Sequence, residues 1–248
     1  MIQVNNLTHK VDSDLILNNF SYKFNNGQLT GILAPVEENM PELLRMMCGI
    51  TEPQQGNIYI EKIDIFNDSP ERIKNIRKKI SFVFNRGGLI SNLSILENLL
   101  LPLDFHFPDE DHTMKLDKIK AIFEHFGLNI NLLSERPATL HPQFKKLMLI
   151  IRAFLPNPAI ILYDNPLVDL ELSFKKKIIG YLYKLQSNGV TQIFVSTSDV
   201  LLELSDVNLV FKSGCLIESG KWEDLIMSNS IITKNIIREY LEVGINET

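Results

Sequence analysis

Short apolar runs alternate along this chain with longer stretches of helical period. The apolar runs at 29–33, 57–60, 80–84, 159–163, 192–196, 208–211 and 215–218 predict strands. Apolar residues recurring every third or fourth position predict helices over 41–48, 95–100, 115–126, 143–155, 172–186 and 230–241. Strands alternating with helices imply an α/β protein built on a largely parallel sheet. The middle breaks the alternation. Across 86–158 helix follows helix with little strand signal, which predicts a helical insertion within the α/β core. The last helix places Ile231, Ile232, Ile236, Ile237, Tyr240 and Leu241 at helical spacing. Packing on the core is the ordinary reading of that stripe, and a dimer contact the sharper one.

Composition narrows the class. Hydrophobic residues at 45% against 22% charged leave enough apolar surface for a packed core, which excludes disorder for most of the length. With 25 Lys and Arg against 30 Asp and Glu, no basic excess exists to neutralise phosphates, so nucleic acid is not expected as a partner. No stretch reaches the about 18 apolar residues of a membrane span, and the richest, 147–155, is broken by Arg152. The opening MIQVNNLTHK lacks the basic start and apolar stretch of a signal peptide. Two cysteines, Cys48 and Cys215, make no disulfide framework, and a reducing compartment is the easier reading. His9, His106, His112, His125 and His141 are scattered without ligand spacing, so no metal is expected. The segment PDEDH at 108–112 reads as a solvated connection rather than a metal site.

Three segments carry a resemblance. LTGILAPVEENMPELLRMMCGI at 29–50 has the strand, loop and helix of the phosphate-loop region of ATP-binding cassette (ABC) ATPases. AIILYDNP at 159–166 resembles their Walker B strand, an apolar run closed by an acid. FNRGGLISNLSILENLLLPL at 84–103 resembles their Q-loop segment, in particular that of the Mla/MCE-type ATPases of bacterial phospholipid transporters. The block at 136–171 is similar in length and apolar pattern to the stretch from the signature helix to Walker B. The resemblance spans nearly the whole chain. It implies a P-loop fold of the ABC type: a RecA-like core with an antiparallel β subdomain, at 1–85 and 159–248, and an inserted helical subdomain at 86–158, together one domain.

The same comparison shows what is missing. The working phosphate loop, G-x-x-x-x-G-K-[ST], curls backbone N–H groups around phosphates, neutralises them with Lys and holds Mg²⁺ with a hydroxyl. Its positions are taken here by Ala34, Asn39, Met40 and Pro41, with Glu37 and Glu38 inside the loop, where carboxylates repel a triphosphate. Asn85 replaces the Q-loop Gln, one methylene shorter. Asp164 keeps the Walker B acid, but Asn165 replaces the Glu that serves as general base, and an amide accepts no proton at neutral pH. Ser198 stands for the switch His. The signature LSGGQ becomes LHPQF, so His141, Pro142 and Gln143 replace the serine and glycines that approach the partner's γ-phosphate. Lys145 and Lys146 read as a solvated helix face, or as an anion site. The adenine-stacking aromatic is matched by Val11; His9 is a substitute, and otherwise a surface histidine.

The resemblance therefore implies a pseudo-ATPase with no catalytic residue and no bound ATP or Mg²⁺. The family hydrolyses ATP between two subunits, one giving the phosphate loop and the other the signature; having lost both halves, this chain completes neither site even beside an active partner. The expected role is a peripheral subunit of a bacterial ABC transporter for phospholipids, on the cytoplasmic face of the inner membrane. Arg86, Gly87, Gly88, Leu89, Ile90 and Leu93 would dock on the permease, with the chain in a homodimer or paired with a second ABC ATPase. Two alternatives remain: an ATPase with atypical residues, relying on Asp164, Glu37 or Glu38, and a regulatory scaffold that has kept only the fold.

Overall fold

The computed structural model describes residues 1–196 and 198–246. In chain order the strands and helices are β1 (Ile2–Val11), β2 (Asp14–Phe24), β3 (Leu29–Leu33), α1 (Pro41–Met47), β4 (Gln55–Ile60), β5 (Ile63–Asp64), α2 (Pro70–Arg77), β6 (Ile80–Val83), α3 (Ile95–His106) and α4 (His112–Phe126). There follow α5 (Pro142–Phe154), β7 (Ile160–Asp164), α6 (Leu172–Ser187), β8 (Thr191–Val195), α7 (Asp199–Leu204), β9 (Val207–Lys212), β10 (Cys215–Gly220), α8 (Trp222–Ile226) and α9 (Ile231–Asn246).

Two sheets organise these elements. A six-stranded sheet runs β10-β9-β3-β8-β7-β6, parallel except for the antiparallel β9–β10 hairpin. A four-stranded antiparallel sheet runs β2-β1-β4-β5. The central strands β3, β7 and β8 are buried on both faces, which is why each reads as an unbroken apolar run. Their side chains alternate between two cores. Leu33, Tyr163 and Phe194 join the helices α3 to α6 on one face, and Ile32, Leu162 and Ile193 join α1 and the antiparallel sheet on the other.

The long strands β1 and β2 were not anticipated from the pattern. Each is interrupted by a register shift, with Asn6 and Asn19 both at φ +51°. The Asn6 side chain donates to Asn19 Oδ1 at 2.9 Å, and the Asn19 amide donates to Thr8 Oγ1 at 3.0 Å. Such bulges flip the inward face midway and erase the period of two. The apolar pattern does not predict the short α2, α7 and α8, and α3 runs six residues past its expected end, through Pro102. A capping box holds its start: Ser94 Oγ accepts from the Glu97 amide at 3.2 Å, and Glu97 accepts from the Ser94 amide at 2.7 Å. In the 108–112 connection, Asp111 caps α4 by accepting from the Thr113 amide at 2.7 Å. No helix among the described residues is long and apolar enough to cross a membrane.

Candidate functional site

At the C-terminal ends of β3, β7 and β8 lies a cleft of about 310 Å³. Ala34, Asn39, Met40, Pro41, Asn85, Asp164 and Asn165 all line it, so the positions matched from the sequence converge in space. The loop leaves β3 at Ala34, makes a short 3₁₀ turn at Val36–Glu38, and enters α1 through Pro41 at the first helical turn. There a proline is tolerated because its missing N–H would have no helical partner. Met40, 2% exposed, sits at the helix start and packs into the apolar core under the loop. Where a phosphate loop carries its ammonium, this chain carries a thioether directed into the core.

Two expectations about the loop are corrected. Neither Glu37 nor Glu38 faces the cleft. The Glu38 carboxylate turns to the β9–β10 hairpin and accepts from the amides of Ser213 at 2.7 Å and Gly214 at 3.3 Å. Glu37 points to solvent, 74% exposed, with Lys212 at 3.8 Å. The repulsion expected from these carboxylates is therefore directed away from the cleft. Ser198 is likewise not among the described walls of the cleft; it precedes α7, its amide donating to Ser196 Oγ at 3.0 Å.

The acid at the end of β7 is intact but muted. Asp164 is 6% exposed, and burial raises its pKa against the opposing pull of Lys146 and of the Asn165 amide group, which donates to Oδ1 at 3.3 Å. Asn165, in the left-handed region at φ +46°, ties its own amide to the Val195 carbonyl at 2.8 Å. Val11 lies against the core of the antiparallel sheet, away from the cleft walls. His9 is not a surface residue: it is buried on β1.

Tyr240 of α9, expected in core packing or a dimer contact, forms a wall of this cleft. Its hydroxyl accepts from the Ala34 amide at 3.0 Å and donates to the Ala34 carbonyl at 2.8 Å. Burial pushes the phenol up to about 12, so it keeps its proton through the neutral range. Tyr240→Phe leaves both groups of a buried residue without these partners and should lower unfolding free energy by about 1–3 kcal/mol in urea. An unchanged urea midpoint would show that the pairing contributes nothing.

A second cleft, of about 540 Å³, opens on the other side of Asn85. Arg86, Gly87 and Leu89 of the expected docking segment form one wall, and Pro142, Lys145, Lys146 and Leu149 of α5 another. Arg86, Gly87, Gly88 and Ile90 are exposed, while Leu89 and Leu93 are half-buried. Of the leucines that follow, Leu99, Leu100 and Leu103 belong to the core. At the signature position, His141 precedes α5, Pro142 occupies its first turn and Gln143 is buried. The pyrrolidine removes one of the amides that a signature offers to phosphate.

Three buried or half-buried polar side chains hold the segment 84–94. Asn98, fully buried in α3, accepts from the Ile90 amide at 2.7 Å and donates to the carbonyls of Ile90, Leu93 and Ser94 at 3.1, 3.3 and 2.9 Å. Arg152 donates to the Gly88 carbonyl at 2.7 Å. Lys146, 3% exposed, corrects the expected solvated face: its ammonium lies inside, against the carbonyls of Phe84, Asn85 and Asp164. The only signal available for Asn98 and Lys146 was a polar residue on the apolar stripe of a helix.

A mostly parallel sheet flanked by an antiparallel one, a loop entering a helix at the end of β3, and a carboxylate at the end of β7, one strand removed, define the nucleotide-binding cassette of a transporter. The chain belongs to the ABC transporter family, whose model matches residues 17–168. Among its relatives is the methionine import ATP-binding protein MetN of Francisella tularensis subsp. holarctica (strain OSU18), 26% identical over 99% of this chain and 70% of that one. MetN of Campylobacter jejuni is 24% identical over 96% of this chain and 76% of that one. Among solved structures, the dimeric MJ0796 cassette, a bacterial ABC transporter cassette by its description, superposes with a TM-score of 0.83 at 25% identity, covering 89% of this chain and 98% of that one.

Proposed function

We propose that this chain is a non-hydrolysing nucleotide-binding-domain subunit of an ABC transporter, docked on a membrane permease from the cytoplasmic side. The observation that carries the reading is the cleft at 34–41. It has kept the shape of a phosphate loop, while its lysine position is a core methionine, its hydroxyl position a proline and its general-base position an asparagine. In the domain division that goes with this reading, 1–85 and 159–248 form the α/β core and 86–158 the helical subdomain. Held by Asn98 and Arg152, with Lys146 anchoring the two residues before it, segment 86–93 is the docking surface.

A working ATPase with substitute residues is the weaker reading, because Glu37 and Glu38 are directed elsewhere and only Asp164 remains in the cleft. The partner within the transporter is a second copy or an active ABC ATPase; the MJ0796 cassette is described as dimeric. As for cargo, the lipid expectation rested on the likeness of 84–103 and 166–171 alone. The relatives named above carry methionine-import names, which supports amino-acid import over lipid transport as our reading of the cargo.

The test is co-purification from native membranes in mild detergent. A permease is expected with the wild-type chain, and a second ATPase beside it would identify the source of energy. Arg86→Glu combined with Ile90→Asp should cut recovered permease at least about tenfold, a loss of about 1.4 kcal/mol or more. Recovery of the chain alone in the cytosolic fraction would favour the scaffold reading instead.

A further inference from the structure

We propose that Lys146 is a built-in cation that latches the loop at 84–89 to the end of β7, so that the docking surface is set by the chain itself and not by a bound nucleotide. The inference rests on the docking reading for its purpose, and on the geometry alone for the latch.

The ammonium group has three protons, and three carbonyl oxygens surround it: Phe84 at 3.2 Å, Asn85 at 3.0 Å and Asp164 at 3.3 Å. Two of these belong to the loop after β6 and the third to the last residue of β7. One side chain of α5 thus joins the two segments that, in the family, meet at the nucleotide. No carboxylate among the described residues approaches it closely enough for an ion pair; main-chain carbonyls make its hydrogen bonds. Taking an ammonium out of water without a partner is costly, and a methionine or leucine would fill the same space without that cost. A buried cation held by three carbonyls is therefore a specific device rather than a packing residue.

The surroundings agree. Burial lowers the Lys146 pKa to about 8, with Asp164 and Asp169 pulling it up and Arg86 pushing it further down, so the group stays charged at neutral pH. Asn85 lines both clefts, and its Oδ1 is buried without a hydrogen-bond partner among the described residues. The residue at the Q-loop position is consequently held through its backbone, by Lys146, and not through its side chain. Gly88, three residues on, is at φ +90° and its carbonyl is held by Arg152, so the latch continues along the docking loop from the same helix. Lys145, the neighbour on α5, is half-buried in the same larger cleft but makes no hydrogen bond to the loop among the described residues, which makes it the control.

Hydrogen–deuterium exchange on the purified chain, without a permease, tests this. In the wild type, amides at 84–91 should be protected at pH 7, and added Mg-ATP should leave that protection unchanged. Lys146→Met should raise exchange there about tenfold or more, with the amides of β3 and β8 unaffected, whereas Lys145→Met should change nothing. Should Lys146→Met fail to fold, Lys146→Arg and Lys146→Gln carry the comparison: arginine keeps charge and donors and retains protection, glutamine loses it. Unaltered exchange in a folded Lys146→Met, or wild-type protection that appears only with Mg-ATP, overturns the latch. Because the permease takes no part, failure of the docking reading leaves this result standing, and failure of the latch leaves docking to be judged by co-purification.

Discussion

Purified chain supplied with Mg-ATP is expected to release phosphate no faster than its own Asp164→Ala variant. A positioned general base contributes about 10²- to 10⁴-fold to such a reaction, and Asn165 offers none. Loss of the loop lysine removes a cation from beside the phosphates, where one close charge pair amounts to roughly 4 kcal/mol at an effective dielectric of 20. Met40 cannot supply it, being packed in the core. Lys146, the buried cation nearest the acid, has its three donors occupied by carbonyls. The two losses act on different steps, one on binding and one on chemistry, so the turnover deficit should be at least about 10³-fold relative to a cassette with complete motifs. Phosphate release that exceeds background and vanishes in Asp164→Ala would establish a working ATPase and end the pseudo-ATPase reading.

Gly31→Ala is expected to destabilise the chain by about 2–4 kcal/mol, the sum of overpacking and a strained buried hydrogen bond. Gly31 lies in the middle of β3, opposite Asn208 of β9 and Phe194 of β8. A Cβ there would stand 2.1 Å from Asn208 Oδ1 and 3.0 Å from Leu202 Cδ2. Asn208 is fully buried, and its Nδ2 donates to the Leu202 carbonyl at 2.9 Å, so the side chain yields only by giving up that bond. The strand also leads directly into Ala34, so displacement of β3 should disturb the cleft. Urea unfolding measures the loss, and Gly31→Ala combined with Asn208→Ala should recover part of it by removing the clashing oxygen. A single variant within about 0.5 kcal/mol of wild type would mean that the packing relaxes without cost.

The amino-acid sequence alone determined the α/β alternation, the central strands and the loop positions Ala34, Asn39, Met40 and Pro41 that line the cleft. Strands buried on both faces must be apolar throughout, and helices against a sheet must carry a stripe, so both leave a local record. Met40, Pro41 and Asn165 could be read because their meaning lies in spacing from a strand end. What each polar side chain faces had no such record. Glu38 reaches a hairpin 175 residues away, Tyr240 reaches Ala34 from 206 residues away, and Lys146 reaches across to the loop after β6 and the end of β7. The bulges in β1 and β2 were hidden for a related reason, since a flipped register is visible only once its partner strand is in place. Periodicity records burial along one element; the partner of a buried charge or hydroxyl is a backbone atom that only the folded chain brings within reach.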